Sequence, residues 1–153
     1  MRHVVFRLEK DRYALPLAAI REVVVPPERF SRVPRAPDVV KGVMNLRGRV
    51  VTVVDLRALL GVSAASVPPA ASPARRNERI VLLDRGRRDL GLLVTDVDGI
   101  ESIEKVVAAP GKQSSAVRGV ARLRGWAVTV LDPDGLDGLV VQAFSGLSQP
   151  AVR

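Results

Sequence analysis

The chain has 153 residues, of which 47% are apolar and only 3% aromatic, so it can bury a core that is mostly aliphatic. It contains no cysteine, which excludes disulfides, thiol catalysis and cysteine-ligated metals, and it has no apolar run long enough for a signal peptide or a membrane span, so we expect a soluble cytoplasmic protein. The net charge of +8 is concentrated in residues 1–61, which carry 12 basic and 6 acidic side chains against 9 of each in residues 80–153, and such a surface can attract nucleic acid, anionic lipid or an acidic protein.

The first half of the chain reads as short strands separated by turns. Strands are predicted at 3–8, 13–17 and 20–25, because alternating apolar positions and abundant β-branched side chains favour a half-buried sheet. A Pro-rich segment follows, and a short helical turn is predicted at 37–42, with Pro37 at its start. Two further strands then flank Arg47 and Gly48, which is typical of a hairpin.

The second half repeats this pattern after a change in composition. Residues 63–78 read SAASVPPAASPARRNE and are predicted to be an extended, mobile linker. Strands are then predicted within 79–84, 90–94, 97–107, 116–123 and 126–132. After Asp132 a proline and several glycines disfavour a helix, and residues 145–153 are predicted to be a frayed tail.

An internal repeat relates the two halves. GVMNLRG at 42–48 returns as GVARLRG at 119–125, and an offset of 77 makes nine of 14 positions identical between 42–55 and 119–132. The same offset aligns the other predicted strands, which indicates two copies of one supersecondary unit. We therefore predict an all-β fold with one or two short helices, in which two five-stranded barrels pack together. The barrels are expected to be subdomains at about 3–61 and 79–144 within a single domain of residues 1–153.

The repeated turn contains positions with a structural explanation. Gly48 and Gly125 tolerate the positive φ that a tight hairpin requires. Leu46, Leu123 and the Val-x-Val that follows each turn are predicted to point into the core, as apolar strand residues usually do.

Arg47 and Glu22 do not have such an explanation. Turn geometry does not require an arginine, and Glu22 interrupts an otherwise apolar strand. We hypothesise that the two side chains meet on one face of the first barrel, where the carboxylate orients the arginine toward a partner. Gly99 is the counterpart of Glu22 in the second copy, so only the first half is expected to offer both an acid and an arginine.

Several blocks together resemble the CheW-like domain family. They are DRYALPLAAIREVV, RVPRAPDVVKGVMNLRGRVVTVVDLRALLG and GLLVTDVDGI, and the resemblance covers roughly residues 3–132. It implies two five-stranded, SH3-like β-barrels and a non-catalytic adaptor that couples chemoreceptors to a CheA-type histidine kinase. The expected partners are the regulatory domain of that kinase and the cytoplasmic tip of methyl-accepting receptors. The expected location is the cytoplasm, at membrane-associated receptor arrays.

The resemblance also implies which residues bind partners. Glu22 and Arg47 match the pair that the family associates with partner binding. The flanking residues that match are Ile20, Val23, Asn45, Leu46 and Gly48, and two positions of the second half, Val94 and Val97, match the receptor groove. The Pro/Ala-rich linker and the glycine-rich C-terminal segment depart from the family pattern.

An enzyme is not expected, and neither is a cofactor or a bound metal. His3 is the only histidine and is expected at the surface of a frayed N-terminus, so no histidine dyad can form. No phosphate-binding or dinucleotide-binding glycine motif is present. Four acids in the second half are predicted to form a solvated face, namely Asp96, Asp98, Glu101 and Glu104.

Two alternative interpretations remain open from the sequence. A basic β-barrel could bind nucleic acid, but such surfaces use aromatic stacking platforms and this chain has only five aromatic residues. CheW-like domains also form the regulatory end of the kinase itself, but the length of this chain favours a free-standing adaptor. We expect neither nucleic-acid binding nor insertion into a membrane.

Overall fold

The computed structural model describes residues 1–62, 77–84, 89–108 and 115–148. Within these residues the strands are β1 Arg2–Leu8, β2 Asp11–Pro16, β3 Ile20–Val24, β4 Val40–Leu46, β5 Arg49–Asp55, β6 Arg79–Leu83, β7 Leu90–Val94, β8 Asp96–Ser102, β9 Val117–Leu123 and β10 Trp126–Leu131. The α-helices are α1 Leu56–Leu60 and α2 Pro133–Ser148. The prediction of a mainly β fold is confirmed. The predicted linker at 63–78 lies outside the described residues except at its end.

The strands form two five-stranded sheets that both draw on the two halves of the chain. Sheet A has the order β8-β1-β2-β10-β9, and sheet B has the order β3-β6-β7-β5-β4. Each sheet therefore combines two strands of one half with three strands of the other. The predicted subdomain ranges of about 3–61 and 79–144 describe the sequence repeats but not the sheets, because strand pairing crosses between the halves.

The two sheets are equivalent under the repeat. At an offset of 77 residues, β1–β5 correspond to β6–β10, and the two strand orders become the same. The single parallel pairing of each sheet lies at the same place, between β2 and β10 in sheet A and between β7 and β5 in sheet B. The prediction of two five-stranded barrels built on one repeated unit is thus confirmed, with strands exchanged between the copies.

The hairpin turns adopt a geometry that accounts for their repeated sequence. Arg47 and Gly48 have φ of 51° and 86°, and Arg124 and Gly125 have φ of 53° and 85°. Two consecutive residues with positive φ between paired strands are typical of a type I′ turn, whose twist matches that of the strands. The glycines follow the prediction, whereas a left-handed arginine costs about 1–2 kcal/mol. The side chain of Asn45 stabilises the first turn by accepting the Gly48 N–H at 2.9 Å.

The core is aliphatic and spans both sheets. The largest cluster includes Phe6, Leu15, Leu83 and Leu92, all fully buried. The predicted Val-x-Val positions are buried too, since Val51, Val53, Val128 and Val130 are at most 1% exposed. Leu46 and Leu123 are only half-buried and pack at the edges of two smaller clusters. The predicted core positions are therefore buried along the strands, whereas those next to the hairpin turns are only half-buried.

The Pro-rich segment between β3 and β4 has little regular structure. Ser31 and Val43 exchange two backbone hydrogen bonds of 2.9 Å, which tie the segment to β4. A Cβ on Gly42 would lie 2.5 Å from the Ser31 oxygen, so only glycine permits this approach. The predicted helical turn at 37–42 is a single hydrogen-bonded turn, in which the N–H of Val40, the first residue of β4, donates to the Pro37 oxygen at 3.0 Å.

The helix α2 contradicts the prediction that the glycine-rich segment after Asp132 disfavours helix. Pro133 occupies the first helical position, where a missing N–H has no consequence, and the Asp132 carboxylate accepts the Asp134 N–H at 3.3 Å. Leu136 and Val140 lie one turn apart and are buried in the main core. Tertiary packing therefore outweighs local propensity. The helix includes the start of the predicted tail, and residues 149–153 lie outside the described residues. Neither α-helix in the described ranges has the length and apolar character needed to cross a bilayer.

His3 is also placed differently from the prediction. It lies in β1 and is 2% exposed, not at the surface of a frayed terminus. The N-terminus is tied to the chain beyond β8, where the Ile103 N–H donates to the Met1 oxygen at 2.9 Å. The imidazole Nδ1 lies 3.1 Å from the Met1 oxygen, and Nε2 has no partner among the described residues. Burial lowers the pKa of His3 because desolvation disfavours the imidazolium form.

Candidate partner-binding surface

Glu22 and Arg47 meet at one end of sheet B. Glu22 lies on β3 and Arg47 in the β4–β5 turn, and the guanidinium Nη2 donates to the carboxylate Oε1. Since β3 and β4 are the two outer strands of sheet B, the ion pair joins its free edges. Arg47 is 68% exposed and Glu22 is 33% exposed. The arginine is therefore held by a carboxylate while most of its surface remains available to solvent.

The neighbours of this pair have different roles. Asn45 and Gly48 shape the turn, and both are exposed. Leu46 is half-buried against the cluster of Val51, Val53 and Ile80, so its contribution is mainly to packing.

Exposed valines also occur on β3 and β5 of sheet B. Val23 is 38% exposed and Val50 is 62% exposed, whereas Ile20 is half-buried against the main core. Val50 was missed in the sequence because the run of valines in β5 hides which of them face solvent. The two-residue period of a strand predicts that Val50 faces solvent, because Val51 and Val53 lie on the opposite, buried face of β5.

The two second-half positions that match the receptor groove are not equally accessible. Val94 ends β7 and is 1% exposed, because it packs into the main core. Val97 lies in β8 opposite Phe6 and is half-buried against the same core. A direct contact through Val94 is therefore incompatible with this structure, while Val97 retains some surface.

A second acid–arginine pair occupies the equivalent end of sheet A, which corrects the prediction that only the first half offers one. Arg124 pairs with Glu101 at 3.1 Å, joining the outer strands β9 and β8. The aligned counterpart of Glu22 is indeed Gly99, but Glu101 lies two residues further along β8. Residues two apart in a strand share a face, so the carboxylate still reaches the turn.

The other acids of the second half are partly engaged in ion pairs. Asp98 lies between two arginines of the first half, 3.0 Å from Arg7 Nε and 3.1 Å from Arg12 Nε. The Arg12 guanidinium carbon also lies 4.2 Å from the centre of the Trp126 ring, which is 57% exposed. The prediction of a solvated acidic face is therefore incomplete, because Asp98 and Glu101 hold arginines in place.

These groups border a cleft of about 240 Å³ on sheet A. Its lining is Val5, Arg12, Asp98, Glu101, Leu123, Arg124 and Trp126. Trp126 was not singled out as a surface residue from the sequence, although a tryptophan directly after a turn glycine is an available signal. Tryptophan and arginine are the residue types that most often dominate protein interfaces.

The ends of the two sheets present ion-paired arginines that remain mostly exposed. His3 is buried in β1, and no group of three or more potential metal ligands occurs in the described part of the chain. The aromatic residues do not form a stacking platform on the basic first half. Phe6 is fully buried, Tyr13 stacks on it with ring centres 6.2 Å apart, and Phe30 is half-buried. Arginine is among the residue types enriched at protein–protein interfaces.

Comparison with known proteins places this architecture among characterised relatives. Residues 2–139 match the family model described as CheW-like domain. The chemotaxis protein CheW of Klebsiella aerogenes is 28% identical over 109 residues, which cover 70% of this chain and 61% of that protein. The CheW of Rhizobium meliloti is 30% identical over 141 residues, covering 87% of this chain and 84% of that protein. The chain thus spans less than two thirds of the Klebsiella relative.

A solved structure has the same fold. The scaffolding protein TtCheW from Thermoanaerobacter tengcongensis superposes with a TM-score of 0.72 at 23% sequence identity. The superposition covers 86% of this chain and 88% of that chain. The similarity therefore extends over both sheets rather than over one repeat.

Proposed function

Because the chain belongs to the CheW-like domain family, we propose that it is a non-catalytic adaptor of a bacterial chemosensory system. Two relatives carry the name chemotaxis protein CheW, and the superposed structure is described as a scaffolding protein. The observation that carries the proposal is the Glu22–Arg47 pair, which presents an exposed arginine from the hydrogen-bonded β4–β5 turn. A buried active site is not needed for such a role.

The proposed partners are the regulatory domain of a CheA-type histidine kinase and the cytoplasmic tip of a chemoreceptor. By holding both, the chain would couple the state of the receptor to the activity of the kinase. Recruitment to receptor arrays at the membrane then follows from receptor binding and requires no membrane segment in this chain.

The surface of sheet B around Arg47 supports the contact with the kinase. Glu22 orients the exposed guanidinium of Arg47, and Val23 and Val50 add exposed apolar area on strands of the same sheet. An exposed ion pair contributes about 0–1 kcal/mol to folding, so its value lies in orienting the arginine for binding. Charged groups at the rim of an interface set orientation and specificity more than total affinity.

The test is the affinity of Arg47→Ala for purified partners. Isothermal titration with a CheA-type regulatory domain and with a soluble receptor fragment should show binding to at least one of them weakened about tenfold, which corresponds to about 1.4 kcal/mol. Glu22→Gln should weaken the same interaction less, because it frees the arginine without removing it.

The matched control is Arg122→Ala on β9. Arg122 is exposed like Arg47, and within the described ranges it has no ion pair. We expect its removal to leave both affinities unchanged. Unchanged binding by a folded Arg47→Ala variant would contradict the role of this residue, and failure of the native chain to bind either partner would contradict the adaptor function.

A further inference from the structure

The ion pairs between the two halves of the chain share a regular distribution of their basic and acidic partners. In sheet B, Asp89 lies directly before β7 and contacts two arginines of the first half, Arg21 on β3 at 3.2 Å and Arg49 on β5 at 2.6 Å. In sheet A, Asp98 on β8 contacts Arg7 and Arg12 of the first half. Each of these pairs joins a strand of one half to a strand of the other half, or to the residue directly before that strand.

The repeat relates these contacts to one another with the charges exchanged. At the offset of 77, Arg12 corresponds to Asp89, and Arg21 corresponds to Asp98. The Arg12–Asp98 pair of sheet A is therefore the equivalent of the Asp89–Arg21 pair of sheet B, with each sign reversed. The contact of Arg49 with Asp89 corresponds to that of Trp126 with Arg12, in which an uncharged ring takes the place of the arginine.

The first half supplies the arginine in every one of these contacts. Each half gives a strand pair to one sheet, β1–β2 or β6–β7, and a strand trio to the other, β3–β5 or β8–β10. The first half carries arginine on its pair and on its trio, whereas the second half carries aspartate on both. This distribution accounts for part of the excess of basic residues in the first half.

Like halves would therefore repel each other if they tried to form a sheet together. A first-half pair against a first-half trio would place Arg12 against Arg21 and Arg49. A second-half pair against a second-half trio would place Asp89 against Asp98. The strand positions themselves do not prevent such assembly, because the two sheets have the same order and the same parallel pairing.

We propose that these inter-half ion pairs are a recognition code, through which each half accepts the complementary half and rejects a second copy of itself. The interaction surface is the seam between strand pair and strand trio, and the partner that fits it is a strand set of opposite charge. Two unit charges at about 4 Å in water change an equilibrium by about fivefold in either direction. The code thus acts on assembly specificity, for which small terms at several contacts add up.

The test reverses the code in one sheet of the full chain. The sheet-B reversal, Arg21→Asp/Arg49→Asp/Asp89→Arg, keeps each native contact attractive but also makes like halves attractive to each other. We expect native-like resistance to urea. On refolding from urea at high protein concentration, however, the fraction recovered as oligomers should rise at least fivefold over that of the native chain, measured by size exclusion with light scattering.

The control is a double reversal that adds Arg7→Asp/Arg12→Asp/Asp98→Arg in sheet A. This variant with six substitutions restores repulsion between like halves, so the fraction of oligomers after refolding should return to that of the native chain. If the sheet-B reversal does not fold, the sheet-A reversal alone gives the same test. The proposal is overturned if a folded single reversal refolds like the native chain, if the double reversal misassembles as much as a single one, or if neither single reversal folds.

Discussion

Gly135 lies in α2, where the helix packs closely against residues 115 and 116 before β9. A Cβ added there would lie 2.0 Å from the Ser115 oxygen and 2.6 Å from the Ala116 Cα. Both distances are well below that of ordinary van der Waals contact, and the obstacles are backbone atoms that cannot rotate away. Gly135→Ala should therefore push α2 off the core.

The expected destabilisation follows from what the helix buries. Overpacking of a rigid site costs about 1–3 kcal/mol. Complete undocking would expose Leu136 and Val140, each worth about 1.5–3 kcal/mol, so about 6 kcal/mol is the ceiling. The higher helix propensity of alanine than of glycine offsets about 1 kcal/mol of this destabilisation. We expect a net loss of about 2–3 kcal/mol, or roughly 4–12 °C in the melting temperature of a chain of this size.

Gly138 provides the matched control three residues further along the same helix. It is exposed, and a Cβ there would meet nothing within 4 Å. Gly138→Ala should therefore stabilise the protein by about 0.5–1 kcal/mol. Urea unfolding followed by far-ultraviolet circular dichroism measures both effects. If the two substitutions shift the unfolding midpoint in the same direction, the close approach of α2 to Ser115 is refuted.

Three further predictions concern other charged and polar groups. Burial lowers the pKa of His3 below 6.5, so the unfolded chain takes up the proton first as the pH falls. The free energy of unfolding should therefore decrease below about pH 6.5. The His3→Gln variant should lack that part of the pH dependence. Arg12→Ala removes a guanidinium from the face of the only tryptophan, so the emission of Trp126 should change while Arg122→Ala leaves it unaltered. Glu101→Gln should lower the free energy of unfolding by less than about 1 kcal/mol, because Arg124 is 74% exposed, and a larger loss in urea titration would contradict this.

The individual strands and turns could be predicted because their signals are local. Alternation along β2 and the glycine after each turn arginine depend on neighbours in the sequence alone. The second acid–arginine pair was missed because the repeat was applied position by position, whereas Glu101 reaches Arg124 from two residues along β8.

Features that depend on distant contacts could not be derived in this way. The glycines of residues 133–148 disfavour a helix, and the burial of Leu136 and Val140 in the main core outweighs that preference. His3 is buried because the N-terminus is tied to Ile103, a contact between residues far apart in the sequence. The exchange of strands between the halves cannot be predicted from hydrophobic periodicity, because a strand has the same alternation of apolar and polar residues whichever neighbour it pairs with.

That exchange has a consequence for how the protein is made. During synthesis β3–β5 emerge early but lack their neighbours until β7 ends at Val94, so sheet B can be completed first. The strands β1 and β2 leave the ribosome before all others, yet sheet A must wait for β10, which ends at Leu131. The β1–β2 hairpin is therefore the part of a nascent chain that waits longest for its outer neighbours β8 and β10, and a chaperone that shields its free edges would have the greatest effect on yield.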